Sequence, residues 1–165
     1  MTYDIKEFDA IRPYSKGEMK QALDSLLSDR HFQKVLQSFA PWLPKSLRNG
    51  LLRLALTGVD EPQDFQLRVM KPVVNRLVIK KHTKGVTFGH EALEKGAQRY
   101  TFLSNHRDIV LDSALLDILL HSNGFERTVE IAIGDNLLIY PWIKKLVKMN
   151  KAFTVRRGLS PKEML

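Results

Sequence analysis

YTFLSNHRDIVLDSALLDILLHSNGFERTVEIAIGDNLLIYPWIKKLVKMNKAFTVRRG, residues 100–158, decides the fold, because its apolar pattern changes period several times over a short distance. YTFLSN, Tyr100 to Asn105, reads as a strand, and a helix is predicted from about Ile109 to His121. In TVEIAIG, Thr128 to Gly134, Val129, Ile131 and Ile133 alternate with polar or small residues, which predicts a second strand. A helix from Leu138 to Met149 follows, and Ala152 to Arg157 reads as a further strand. Upstream, VTFGH from Val86 to His90 has the same alternating character. Strands alternating with helices predict an α/β sheet, with ligands held beyond the strand ends.

Before residue 84 the pattern is helical, with apolar residues at three- and four-residue spacing between clear stops. Ser15 and Glu18 form a capping-box pair ahead of Met19, Ala22, Leu23, Leu26 and Leu27, predicting a helix that ends near Ser28. Further helices are predicted from Asp29 to Phe39, from Ser46 to Leu56, and from Gln63 to Lys81 with a kink at Pro72. The expected organisation is an N-terminal helical region, residues 1–83, then an α/β region, residues 84–165.

From the end of the second helix through the third, Phe39, Trp42, Leu43, Leu47, Leu51, Leu52 and Leu54 are interleaved with Lys45, Arg48 and Arg53. Such a helix either lies in a membrane interface, with basic groups kept wet, or packs its apolar face on a core.

Composition narrows the chemistry. The chain has no cysteine, which excludes disulfides, thiolate nucleophiles and cysteine zinc sites and fits the cytoplasm. The polar, acidic start MTYDIKEFDAIRPYSKGEMK does not read as an export signal, and every apolar run is broken short of a membrane span. The net charge of +8 is unevenly placed: from Asn136 to Leu165 seven basic residues face one acid, whereas from Thr101 to Asp135 two face six. A directed contact with phosphate, a lipid headgroup or an acidic carrier is therefore expected, with a solvated lysine-rich helix face (Lys144, Lys145, Lys148) as the alternative. His31, His82, His90 and His121 lack metal-site spacing; His90 reads as a strand-end residue and His121 as a helix C-terminal cation.

The chemistry-bearing element is SNHRDIVLDSALL, Ser104 to Leu116, where a strand is expected to pass into a helix. An imidazole at His106 can take a proton from an alcohol if a carboxylate, Asp112 or Asp108, orients its other nitrogen. Asp108 alternatively caps the helix. At these residues the chain resembles the glycerolipid acyltransferases, a family that includes glycerol-3-phosphate and 1-acylglycerol-3-phosphate acyltransferases. Their first motif is Asn-His, four residues, then Asp entering a leucine-rich helix. Asn105, His106 and Asp112 match it in order, with a spacer of five. Inside a regular helix the extra residue would turn the carboxylate by about 100°, which leaves Asp108 open beside the preferred Asp112. The second motif is matched by Gly134, Asn136 and Leu137, then Pro141, then Ala152, Phe153, Val155, Arg156 and Arg157; Lys151 stands where the family has a small residue. The likeness spans about Val86 to Gly158.

The resemblance implies transfer of an acyl group from a coenzyme A or acyl carrier protein thioester to a hydroxyl of glycerol-3-phosphate or its monoacyl derivative, in phospholipid synthesis. It implies His106 as base, Asp112 as its orienting carboxylate, Asn105 and Arg107 shaping the turn, and Gly134, Asn136 and Arg156 or Arg157 serving the substrate. An arginine fork suits a phosphate, and strand alternation sends Arg156 and Arg157 to opposite faces, with Arg157 preferred. No metal or bound cofactor is expected, nor nucleic acid; an acyl carrier protein and the cytoplasmic membrane surface are the expected partners. The family's later Glu-Gly-x-Arg element is missing, so the chain reads as cut short after the second motif and is expected to turn over little substrate by itself. A basic membrane-binding module without catalysis, or a His/Asp thioester hydrolase, are the alternatives.

Overall fold

A computed structural model describes residues 8–96, 99–104 and 111–158. It contains helices and a two-stranded parallel sheet, an α/β arrangement in the general sense. Two compact units are present: residues up to 62 together with those from 130 onward, and residues 63–129.

In the first unit, a 3-10 turn at Lys16–Glu18 leads into α1, Met19–Ser28. The carboxylate of Glu18 accepts from the N–H and hydroxyl of Ser15, at 2.6 and 2.7 Å, and from Arg12, as the capping-box spacing predicts for the Ser15–Glu18 pair. Helix α2, Arg30–Phe39, starts under Asp29, whose side chain accepts from the N–H groups of His31 and Phe32. Helix α3 is Lys45–Ala55. Met19, Ala22, Leu26 and Leu27 are buried along one face of α1, which packs on α2 and on the later helix Pro141–Met149.

The sheet belongs to this unit. Strand β1, Ile131–Gly134, is joined through a 3-10 turn, Asp135–Leu137, and helix α6, Pro141–Met149, to β2, Ala152–Val155. The strands are parallel, with Ile131 opposite Ala152 and Gly134 opposite Val155. The outer side of β2 is met by the N-terminal segment, since the Thr154 N–H donates to the Ile11 carbonyl at 2.9 Å. Lys148 of α6 was expected on a wet face with Lys144 and Lys145; instead it is buried, and its ammonium donates to the Asp9 carbonyl at 3.0 Å and lies over the Tyr14 ring. Burial, then repulsion from Lys144 and Arg12, pushes its pKa down.

The second unit contains a long helical run, α4, residues 62–82, and helix α5, Leu111–Ser122. α4 alternates regular turns with π stretches at Gln66–Met70 and Asn75–Ile79, and the Lys71 N–H reaches back five residues to the Gln66 carbonyl. Pro72, the expected kink point, stands directly after the first π stretch and supplies no N–H, so a wider ladder there is cheap. Val74, Ala114 and Ile118 form the core between α4 and α5, with Leu111 and Leu115 packed against it. Buried Asp117 accepts from the Val129 N–H at 2.8 Å and fastens the end of the unit to α5.

Two predicted strands are not strands. Residues 86–90 and 100–104 have no ladder partner among the described residues. Their alternation reflects side-chain sorting: Phe88 stacks on His90 with rings 5.5 Å apart, His90 meets the edge of Phe125, and Tyr100 lies near Phe102. His90 is therefore an aromatic-cluster residue. His121 stands in the last turn of α5, the helix end at which it was expected, and its Nδ1 lies 3.0 Å from the Lys71 ammonium nitrogen.

Candidate functional site

In a parallel α/β unit the strand carboxyl ends are where ligands gather, because side chains and loop amides converge there without blocking the ladder. Here those ends are Gly134 and Val155. Residues 135–137 turn away from β1 and residues 156–157 leave β2, which brings the second motif together.

Gly134 is buried and its backbone is ordinary extended chain, φ −66°. What it supplies is room. A Cβ at this position would lie 2.6 Å from Asn136 Oδ1 and 2.7 Å from Arg157 Nε, so the two side chains close over the glycine. The Arg157 N–H donates to Asp135 Oδ1 at 3.1 Å, which ties the exit of β2 to the exit of β1. Over the buried Gly134, Asn136 and Arg157 thus form a small exposed pair with one amide and one guanidinium, apt for an oxyanion. Arg156, the neighbouring candidate, is also exposed. Asp135 was missed by the sequence reading; its position between Gly134 and Asn136, one residue past a strand, is the only signal that could have marked it.

Asp112 stands in the first turn of α5, half-buried. Asn105, His106, Arg107 and Asp108 lie outside the described residues, as does the expected helix start at Ile109. Among the described residues no group of histidines and carboxylates could hold a metal ion, and no helix is long and apolar enough to cross a membrane. No protein-family model, curated protein or solved structure matches the chain.

Proposed function

We propose that the chain is a glycerolipid acyltransferase, moving a fatty acyl group from a coenzyme A or acyl carrier protein thioester to a hydroxyl of glycerol-3-phosphate or 1-acylglycerol-3-phosphate. The observation that carries the reading is the convergence of Gly134, Asn136 and Arg157 at the carboxyl end of the parallel strand pair. These residues come from the two ends of the second motif, some twenty positions apart, and their closeness is what a phosphate-positioning role requires.

In this reading His106 removes the hydroxyl proton as the oxygen attacks the thioester carbonyl; the C–S bond breaks and the thiolate leaves, taking up a proton. Asp112, or Asp108 in its place, fixes the tautomer of His106 and stabilises the imidazolium. Arg157, with Arg156 beside it, holds the acceptor phosphate, while Asn105, Arg107 and Asn136 set the shape of the turns. The parallel strand pair then belongs to an acyltransferase sheet, working at the cytoplasmic membrane surface. No metal is called on by this chemistry.

Mass spectrometry of the products formed from an acyl thioester and the two acceptors, beside His106→Ala, tests the reaction; full transfer by that variant would remove His106 from it. Titration of glycerol-3-phosphate by calorimetry tests the phosphate role independently of turnover. Arg157→Ala is expected to weaken that binding by about tenfold or more, the cost of about one charged hydrogen-bonded pair.

A further inference from the structure

The corner between α2 and α3 carries two features that acyl transfer does not use. The first is a hollow of about 480 Å³ lined by Gln33, Lys34, Trp42, Leu43, Lys45 and Arg48 among others, none of them acidic. Small-ligand sites run from roughly 300 to 1,000 Å³. Arg48 is only 9 % exposed, and its Nη1 donates to the Leu43 carbonyl at 2.9 Å. Its Nε is buried without a partner, and no carboxylate pairs with it among the described residues. Gln33, 8 % exposed, spends its amide on the Leu27 carbonyl and Asn49, leaving Oε1 unpartnered in the same wall. A buried cation without a counter-charge, beside an idle acceptor, is costly unless something supplies both a negative charge and a donor.

The second feature is apolar surface left in water. Phe39 is 80 % exposed, Trp42 79 % and Leu54 71 %, and Leu47 and Leu51 are exposed on the same side of α3 as Leu54, at spacings of four and three residues. Arg53, between them in sequence, is paired with Asp24, whereas Lys34 and Lys45 are exposed beside the hollow.

We propose that this corner is a docking site for an anionic phospholipid surface: the aromatic and leucine residues enter the headgroup boundary, and the hollow receives the phosphate of one lipid. Lys34, Lys45 and Arg48 answer the phosphate charge, and a headgroup hydroxyl or amine answers Gln33. A soluble anion leaves the leucine stripe unexplained. A neutral bilayer leaves the three cations unexplained. Basic groups beside an aromatic and aliphatic face are the chemistry of interfacial binding. None of the residues lining the hollow is assigned to acyl transfer, so either assignment can fail alone.

The test uses the whole chain with Trp142→Phe, leaving Trp42 as the reporter, mixed with vesicles of phosphatidylcholine alone or of equal parts phosphatidylcholine and phosphatidylglycerol. Co-sedimentation and a blue shift of Trp42 emission are expected with the anionic vesicles only. Lys34→Gln with Lys45→Gln is expected to weaken binding by about tenfold or more. Leu51→Ser with Leu54→Ser is expected to abolish the blue shift; all four side chains are exposed, and circular dichroism checks that the variants fold. Equal binding to both vesicles, or variants that bind as the parent does, would overturn the proposal. So would a blue shift that follows protein concentration without vesicles, which means self-association. Thermal stabilisation by inorganic phosphate that needs Lys34 and Lys45, with no vesicle binding, would mean a soluble anion and would overturn it too.

Discussion

Lys151 has a left-handed backbone, φ 61°, in the two-residue turn between α6 and β2. A Cβ is strained there by about 1 kcal/mol or more, and glycine relieves it at the cost of a looser unfolded chain. Lys151→Gly is therefore expected to stabilise the protein by about 0.5–1 kcal/mol in urea titration. At Gly134 the expectation differs, because φ is unstrained and only space is at issue. Gly134→Ala must displace Asn136 and Arg157, so glycerol-3-phosphate binding should fall while the melting temperature changes little. Glu18 gives a pH signature. Arg12 first, then the Ser15 N–H, hold its carboxyl down at about 2 from an ordinary 4.5. Its contribution is whole above the ordinary value and disappears as pH falls toward 2. Melts of Glu18→Gln should lie below the parent at neutral pH and meet it near pH 2. Residues tied to short-range grammar, such as Ser15 and Glu18, were legible. Lys148 was not, because helical spacing cannot say that the Phe8–Tyr14 segment will cover it.

Among elements, the helices were legible because caps and three-to-four spacing are local. Asp29, Ser15, Pro44 and Gly58 all stand at or beside a helix end. Strands at 86–90 and 100–104 were misread because alternation reports which side chains share a side, not whether a neighbouring backbone is there to pair. β1 and β2 were read correctly but too long, by three residues at the start of β1 and two at the end of β2. α1 is the load carrier of its unit: Leu26 is buried, so Leu26→Ala is expected to cost about 2–5 kcal/mol. Lys148→Met removes the donor to Asp9 while keeping the stem. The expected outcome is faster hydrogen exchange at the Thr154 amide, whose acceptor Ile11 lies in the segment that Lys148 fastens.

For the whole molecule, the charge of +8 has a measurable consequence. Binding to anionic vesicles should weaken between about 0.1 and about 1 M salt, as the screening length contracts from about 10 to about 3 Å, leaving only the apolar anchor. The two compact units also differ in how they are written along the chain. Residues 63–129 form one continuous unit, whereas the other joins residues up to 62 with those from 130 onward. A ribosome emits these pieces in order, so α1 and α2 must wait through all sixty-seven residues of the unit 63–129 before β1, α6 and β2 arrive to complete their core. During that interval the apolar face of α1 lacks the part of its native cover that α6 supplies, which makes the early nascent chain a client for chaperones and the interrupted unit the later of the two to be finished.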